Sequence, residues 1–511
     1  MTVAVLAGLG RRSAIYLKSV FTGMKPDKLL LLSVLAGACL AVVSAARLAR
    51  VPYQIDYGEG LVLEGALRLH HSQPLYPSPL AFPVVLHEYG PVAYAAVASA
   101  LPGGAVSFPA GRVLIIVCCV LLSLLLSCML RHLTGSWRIG VAFGLLLLAL
   151  PAFRFWLYLL RADVIGIVLS VTGSALYVWK TRLWGWSILF FGLAVFCKYT
   201  LIAAPLAVSV HLIANRQWKR GIGFAAAQVM VCSLAFAALQ AATAGWFAFH
   251  MFSTHSDPYS VSRFLALGAL VWASAPVVTA LALWCAVRDF GRRPWSFPSI
   301  YLVTSFITAF TAGKLGSSTN HFLEWMVASC MCAGLGYSIM MSERMNKVWP
   351  ATFLLSVSVV VGVLLQNRPS LQPSRDLREC GRAYQYVRDS GSTAVLSENV
   401  GPVLAAEKPV LLSDPFAYFQ MVRHGWPDQQ VEERVKQRFF GLIIRETDPS
   451  QMKLGSSETW PEPFVEAMQQ NYKTVARFSC RGAAVMLKPI RPSGDTSRPT
   501  SAPDSRAGFP R

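Results

Sequence analysis

One stretch of the sequence, positions 55–94, gathers acids and imidazoles between two long apolar segments. It reads IDYGEGLVLEGALRLHHSQPLYPSPLAFPVVLHEYGPVAY. A carboxylate that is partly withdrawn from water can accept the proton of a hydroxyl group, so the chemistry indicated here is general-base catalysis. Asp56 is the preferred base. Glu59 is the alternative, although it could instead cap a helix that begins at this point.

Further ionisable residues interrupt the later apolar segments. They are Arg161, Asp163, Lys198, Lys314, His321 and Glu324. Ionisable groups at membrane depth are costly and usually mark a substrate or ion site. The alternative is that they pair with one another or with lipid headgroups. The cations suit a phosphate group, whereas Asp163 could orient a cation or contact a hydroxylated substrate. Glu88, late in the stretch 55–94, is a second candidate acid for substrate binding.

Metal and cofactor motifs are sparse. His321 and Glu324 are three residues apart and would share a helical face. Two ligands are too few to define a metal site, so a divalent metal stays open and no cofactor is assigned. The sequence contains no Gly-rich phosphate loop, no nucleophile elbow and no paired CxxC motif.

The composition is that of a membrane protein. Of the 511 residues 54% are hydrophobic and only 14% are charged, whereas soluble domains carry about a quarter charged residues. The net charge of +20 could indicate a nucleic-acid partner. However, Lys and Arg cluster in short loops between apolar segments, which the positive-inside rule explains. Nucleic acid is therefore not a predicted partner; membrane lipids are.

Apolar runs of about 20 residues predict an α-helical polytopic bundle of about eleven spans. The predicted spans are 29–47, 108–130, 136–151, 160–179, 184–198, 199–213, 221–243, 264–287, 298–313, 322–341 and 348–366. Two interfacial helices are expected in the first outer loop 48–107, over 61–69 and 90–101.

The loops rich in Lys and Arg fall on one side of such a bundle, and that side is expected to face the cytoplasm. The amino terminus is then cytoplasmic. The first outer loop and everything after position 366 are then expected on the outer side of the cytoplasmic (inner) membrane.

Four regions are expected. They are a cytoplasmic segment 1–28, a transmembrane domain 29–366, a small α/β outer domain 367–490 and a disordered tail 491–511. In the outer domain, helices are predicted over 380–390 and 429–438, and strands over 393–396, 409–412 and 439–444.

Cys380 and Cys480 are the only cysteines of the predicted outer domain. An oxidising compartment favours a disulfide between them. The alternative is two unpaired thiols.

The order of the motifs resembles a known family. DYGEG, LYP, EYGP, RAD, KYT and NHFLE follow one another at predicted outer ends. This order resembles the GT-C superfamily of integral-membrane glycosyltransferases. The chain is similar to the bacterial protein mannosyltransferases, aminoarabinose transferases and lipopolysaccharide-core galacturonosyltransferases over about residues 25–345.

The resemblance implies a polyprenyl-phosphate-linked sugar donor and transfer outside the cytoplasmic membrane. It places the catalytic base at Asp56 and a second acid at Glu88. The family often has Arg-Pro-Asp where this chain has Arg161, Ala162 and Asp163. Some distant members require a divalent metal.

The first hypothesis is therefore an inverting glycosyltransferase of the cell envelope. It would move a sugar to an acceptor hydroxyl on a glycolipid, polysaccharide or protein. A transporter or lipid flippase is the rival, and a non-catalytic assembly protein is the third reading. Convergence of Asp56, Asp163 and Lys198 into one outward cavity would favour the transferase, whereas a tunnel at the membrane centre would favour transport.

Overall fold

The structure is a computed structural model that describes residues 25–180, 184–255, 258–366, 373–428, 430–447, 460–480 and 484–490. Most of the predicted cytoplasmic segment 1–28 and all of the predicted disordered tail 491–511 lie outside the described residues.

Helices make up most of the described chain. The first are α1 (Pro26–Ala49), α2 (Tyr57–His70), α3 (Pro91–Ala100), α4 (Phe108–Thr134), α5 (Trp137–Ala149), α6 (Pro151–Arg154) and α7 (Ala162–Val178). The next are α8 (Ser187–Val195), α9 (Ala203–Ala214), α10 (Trp218–Ala242), α11 (Trp246–Phe252), α12 (Val261–Ser274), α13 (Pro276–Phe290), α14 (Phe297–Ala309), α15 (Leu323–Ser342) and α16 (Val348–Gln366). Short 3₁₀ turns lie at Pro102–Gly104, Phe155–Leu157, Trp184–Trp186, Ser253–His255, Phe310–Gly313 and Thr319–Phe322.

The protein is a multi-pass membrane protein. Within the described residues, four helices are long and apolar enough to cross a membrane, namely α1, α4, α10 and the continuous helix Thr319–Ser342. The number rises to six if each of two bent helix pairs forms one span. Each of the eleven predicted spans overlaps an apolar helix, but several of these helices are only 10–17 residues long. The count of eleven is therefore not established.

The predicted span 264–287 is wrong as a single helix. The chain bends by 99° between α12 and α13. Ala275 leaves the helical region with a φ of −144°, and Pro276 begins the next helix. Proline has no N–H to continue the hydrogen-bond ladder, so it separates the two helices.

The bundle packs around α4, α5 and α15. Helix α4 contacts α5 and α7, α1 contacts α5 and α16, and α15 contacts α13 and α14. Helices α2 and α3 match the two helices predicted over 61–69 and 90–101, and they pack against each other. The helix predicted to begin at position 61 begins earlier, at Tyr57, because Asp56 and Glu59 form a capping box there.

The carboxyl-terminal part contains a four-stranded sheet. Its strands are β1 (Val395–Ser397), β2 (Leu442–Arg445), β3 (Tyr472–Phe478) and β4 (Ala484–Pro489), in the order β1-β2-β4-β3. β1 and β2 are parallel, with Val395 beside Leu442, and the other two pairings are antiparallel. Helices α17 (Pro373–Asp389), α18 (Gly401–Ala405), α19 (Pro415–Arg423), α20 (Val431–Lys436) and α21 (Glu462–Asn471) accompany it.

The strand predicted over 409–412 is wrong. This segment does not join the sheet, and Leu412 forms an isolated parallel bridge with Val84 in the loop between α2 and α3. Leu412 is buried there, whereas Val410 and Leu411 are only partly buried. The antiparallel strands β3 and β4 are not predicted by the sequence analysis.

The disulfide between Cys380 and Cys480 is confirmed, with Cα atoms 4.5 Å apart. It joins α17 to the residues that follow β3. The remaining nine cysteines are free thiols.

Candidate active site

The amino-terminal end of α2 presents the carboxylate of Asp56. As the N-cap residue, Asp56 accepts a hydrogen bond from the backbone N–H of Gly58, with an N–O distance of 3.1 Å. The same oxygen, Oδ1, accepts from Nη1 of Arg161 at 3.0 Å. The Asp56 side chain is 28% exposed, so it can still contact a substrate.

Gly58 makes the approach of Arg161 possible. A Cβ atom at position 58 would lie 1.2 Å from Nη1 of Arg161. Only glycine leaves room for the guanidinium group against the first turn of α2. Arg161 is itself the N-cap residue of α7, so the contact joins the amino-terminal ends of α2 and α7.

Glu59 lies three residues away in a different environment. Its side chain is fully buried and forms a two-pronged ion pair with Arg112, with Nε–Oε1 and Nη2–Oε2 distances of 2.8 and 2.6 Å. It also accepts the backbone N–H groups of Ile55 at 2.6 Å and Leu160 at 3.0 Å. Both carboxylate oxygens are thus engaged within the protein.

Sequence reasoning missed Arg112. It lies near the start of the apolar helix α4 and is fully buried. An arginine inside a predicted span is a signal that it must pair with an acid. The sequence alone does not indicate which acid, since Asp56, Glu59 and Glu64 are all close together in the chain.

The predicted charges at the ends of the later helices converge. Nζ of Lys198 donates a hydrogen bond to Oδ1 of Asp163, and Nδ2 of Asn320 donates to the same oxygen at 3.0 Å. Nε of Arg161 lies 4.0 Å from Oδ2 of Asp163. Asp163 and Lys198 are buried, with side chains 2% and 9% exposed. Asp163 therefore joins the two cations.

His321 and Glu324 are three residues apart and have different hydrogen-bond partners. Nδ1 of His321 lies 2.7 Å from the hydroxyl oxygen of Thr311. Glu324 is buried and accepts hydrogen bonds of 3.0 Å from the hydroxyl groups of Ser170 and Tyr301. Within the described residues, no three His, Cys, Asp or Glu side chains come together as a set that could hold a metal ion.

An open cavity of about 1370 Å³, counting the solvent at its mouth, lies at this convergence; we call it the large cavity. Its cationic side chains come from one end of the apolar helices and the segments that follow them. They are Arg161, Lys198 and Lys314, with His321 beside them. Its acids come from the loop between α2 and α3 and from the carboxyl-terminal part, and they are Glu88, Glu398, Asp414 and Glu446. The cationic and the acidic side chains of the large cavity therefore come from different parts of the structure.

A buried network fixes the loop that carries Glu88. The imidazole Nε2 of His87 contacts Oε2 of Glu64. The backbone N–H of His87 donates a hydrogen bond to Nδ1 of His250 at 3.1 Å. Nε2 of His250 donates to the carbonyl oxygen of Pro77 at 2.8 Å. Burial lowers the pKa of His250 to about 4, because the charged imidazolium loses its solvation there.

The carboxyl-terminal part closes one wall of the large cavity. The hydroxyl group of Tyr57 donates to Oδ1 of Asp414 at 2.6 Å and accepts the backbone N–H of Phe416. Nearby, Gln54 donates to Asn399 and accepts the backbone N–H of Gly401 at 2.7 Å. Burial raises the pKa of Asp414. None of these contacts could be read from the sequence, because they join residues about 350 positions apart.

Solved structures share this architecture. ArnT from Cupriavidus metallidurans in the apo state superposes with a TM-score of 0.61 at 12% identity, covering 89% of this chain and 97% of ArnT. ArnT bound to undecaprenyl phosphate gives a TM-score of 0.60 at 15% identity, with the same coverage. The oligosaccharyltransferase AglB from Archaeoglobus fulgidus, in complex with an inhibitory peptide and a dolichol-phosphate, gives 0.52 at 13% identity, covering 89% and 74%.

No family model matches the chain, and no curated protein sequence matches it. The similarity to ArnT and AglB is therefore a similarity of fold, which extends over nearly the whole chain. Both proteins are members of the GT-C superfamily. The resemblance indicated by the motifs is confirmed at this level: the chain has the fold of the GT-C integral-membrane glycosyltransferases.

Proposed function

We propose that this protein is a glycosyltransferase that moves a sugar from a polyprenyl-phosphate donor to an acceptor hydroxyl on the outer side of the cytoplasmic membrane. The observation that carries the proposal is the contact between Asp56 and Arg161. It joins a partly exposed carboxylate to the cationic end of the large cavity. The fold that holds this pair is shared with ArnT bound to undecaprenyl phosphate.

In the proposed reaction, Asp56 accepts the proton of the acceptor hydroxyl group as its oxygen attacks the anomeric carbon. The bond from that carbon to the phosphate oxygen breaks, and the lipid phosphate leaves with the electron pair. Direct displacement inverts the anomeric configuration. We assign the base to Asp56 rather than Glu59, because both oxygens of Glu59 are engaged by Arg112 and backbone N–H groups.

The departing phosphate requires positive charge more than an acid, because it is a good leaving group once its developing charge is stabilised. Arg161, Lys198 and Lys314 line the large cavity. Nε of Arg161 is buried and has no hydrogen-bond partner among the described residues. It lies 4.0 Å from Oδ2 of Asp163. We propose that Asp163 orients Arg161 and Lys198 toward the phosphate.

The remaining predicted site residues receive narrower roles. Glu88 lines the large cavity from the first outer loop, and we propose that it accepts hydrogen bonds from hydroxyl groups of the donor sugar. His321 lines the same cavity and is proposed to lie near the phosphate. Glu324 belongs to a buried polar cluster with Ser170 and Tyr301, and we propose that it holds α15 against α7 and α14.

A transporter or lipid flippase remains the alternative. Transport sites lie near the membrane centre between helix repeats. Here, Arg161 pairs with both Asp56 and Asp163, and Asp163 also pairs with Lys198. These residues lie at the ends of helices, beside a cavity that the carboxyl-terminal part covers. This arrangement supports the transferase.

The proposed topology follows the loop charges. We propose eleven spans, a cytoplasmic amino terminus and an outer domain of residues 367–490 on the far side of a bacterial inner membrane. The disulfide between Cys380 and Cys480 supports the outer location, since such bonds persist in oxidising compartments.

The function is tested by two measurements made together. Mass spectrometry compares envelope glycolipids and glycoproteins of cells with and without the protein. The purified protein is then given synthetic polyprenyl-phosphate hexoses, and release of polyprenyl phosphate is measured. We expect one envelope glycan to lose a single sugar in cells that lack the protein, and one donor to be consumed in vitro. An unchanged envelope together with no donor consumption would contradict the proposal.

A further inference from the structure

A second cleft adjoins Asp56 on the side of the sheet. It has an open volume of about 630 Å³ and is lined by Asp56, Gln54 and Tyr384 together with Glu398, Asn399 and Glu446 of the carboxyl-terminal part. We call it the sheet cleft. It shares Tyr57, Glu398 and Glu446 with the large cavity. Asp56 therefore lines the sheet cleft, and its partner Arg161 lines the large cavity.

This placement matters for the proposed reaction. In a direct displacement, the nucleophile approaches the anomeric carbon opposite to the leaving group. The phosphate belongs in the large cavity, where Arg161, Lys198 and Lys314 gather. An acceptor that delivers its proton to Asp56 would then enter from the sheet cleft.

The sheet cleft presents negative charge and polar groups. Glu446 is exposed, Glu398 is partly exposed, and Asp56 is 28% exposed. The cationic residue of this lining, Arg445, is only 2% exposed, and its guanidinium group lies over the Trp460 ring, 5.1 Å from the centroid. The charge that a ligand meets in the sheet cleft is therefore negative.

The carboxylates are held in fixed positions. Oε2 of Glu398 accepts the backbone N–H of Glu446 at 2.9 Å, and Oε1 of Glu446 accepts from Nδ2 of Asn399 at 2.9 Å. Nε2 of Gln54 donates to Oδ1 of Asn399 at 3.2 Å. Carboxylate and amide oxygens at fixed positions accept hydrogen bonds from hydroxyl groups, whereas they repel anionic groups.

We propose that the sheet cleft is the acceptor site and that it takes an uncharged sugar, with Glu398, Asn399 and Glu446 selecting against phosphorylated or carboxylated sugars. The inference rests on the proposed function, because it assigns the acceptor of that reaction. It adds the class of acceptor and the residues that select it.

The test uses the full-length protein in lipid nanodiscs and saturation-transfer NMR. The probes are a panel of neutral disaccharides and the same disaccharides carrying one phosphate. The variant carries Glu398→Gln and Glu446→Gln, which keep the oxygens that accept the hydrogen bonds described above. The matched control carries Glu432→Gln and Glu433→Gln. It also removes two negative charges, both on α20 and away from the lining of the sheet cleft.

We expect the wild type and the control to bind at least one neutral disaccharide at least about tenfold more tightly than its phosphorylated form. We expect the double variant to lose most of that preference. Absence of disaccharide binding, equal binding of the two forms, or an unchanged preference in the double variant would overturn the inference.

A measurement of donor binding distinguishes failure of the acceptor assignment from failure of the proposed function. Undecaprenyl phosphate is titrated into the same nanodiscs with the wild type and the control variant, and both are expected to bind it. If the lipid binds and a donor is consumed but the preference is absent, only the acceptor assignment fails. If no lipid binds and no donor is consumed, the proposed function fails as well.

Discussion

The hydroxyl group of Tyr57, in the first turn of α2, donates a 2.6 Å hydrogen bond to the buried carboxyl group of Asp414 at the start of α19. Tyr57 follows Asp56 directly in the chain. The carboxyl-terminal part is thus held against the residue next to the proposed base. This hydrogen bond therefore links the carboxyl-terminal wall of the large cavity directly to the candidate active site.

Replacing Tyr57 with Phe should loosen this wall. The substitution leaves the buried Asp414 without one of its donors, which typically costs about 1–3 kcal/mol. We expect a lower unfolding temperature and faster proteolysis of the carboxyl-terminal part. Tyr386→Phe is the control, because its ring packs near Phe478 and its hydroxyl group makes no hydrogen bond to the described residues. Equal proteolysis of the two variants would show that the Tyr57 contact is dispensable.

Glu59→Gln should impair folding rather than catalysis. It leaves the fully buried Arg112 without its carboxylate, and breaking a buried ion pair in this way typically costs about 3–5 kcal/mol. We expect a low yield of folded protein and a lowered unfolding temperature. Glu379→Gln, which removes an exposed pair with Arg382, should change stability by less than about 1 kcal/mol. A stable but inactive Glu59→Gln protein would instead favour Glu59 as the base.

The pair of Lys198 and Asp163 should behave as one unit. Lys198→Met leaves Asp163 buried without its ammonium partner, so it should lower stability markedly. The double variant with Lys198→Met and Asp163→Asn should recover much of that loss, because no unpaired charge remains. Both variants should raise the KM for the lipid donor more than that for the acceptor. Wild-type stability and donor KM in Lys198→Met would exclude both roles.

The buried His250 predicts a loss of stability in acid. In the folded protein its pKa is about 4, whereas an unfolded histidine takes up a proton below about pH 6.5. The unfolded state therefore binds more protons between these values, and stability falls as the pH falls from about 6.5 to 4. The loss from this group is on the order of 3 kcal/mol.

His87 and Arg68 face His250 and also disfavour its charged form. Unfolding temperatures measured from pH 7 to pH 4 should drop more steeply for the wild type than for His250→Gln, which does not titrate. The same slope in both proteins would show that other groups cause the acid sensitivity.

The local features of the fold could be predicted from the sequence, because they depend on neighbouring residues. Pro91 begins α3, and the apolar runs mark the helices. The disulfide was predicted from two cysteines in one domain, and it is confirmed. The break at Pro276 was missed, since an apolar run continues through it and its hydropathy conceals the bend.

The candidate site was predictable as a set of residues but not as a set of contacts. The charges at Asp56, Arg161, Asp163 and Lys198 were identified from their cost in a membrane. Their pairing depends on how distant helices pack, and sequence spacing carries no information about that. Asp414, Glu398 and Glu446 were missed for a different reason, because acids are ordinary in an exposed α/β domain and give no signal there.

The most direct test of the account is the split between binding and turnover in Asp56→Asn. Asparagine can still accept from the Gly58 N–H and from Arg161 at its carbonyl oxygen, but it cannot take the acceptor proton. We expect undecaprenyl phosphate to bind as it does to the wild type, while single-turnover transfer falls by about 10²–10⁴. Wild-type transfer by Asp56→Asn, with the lipid bound normally, would contradict the assignment of Asp56 as the base.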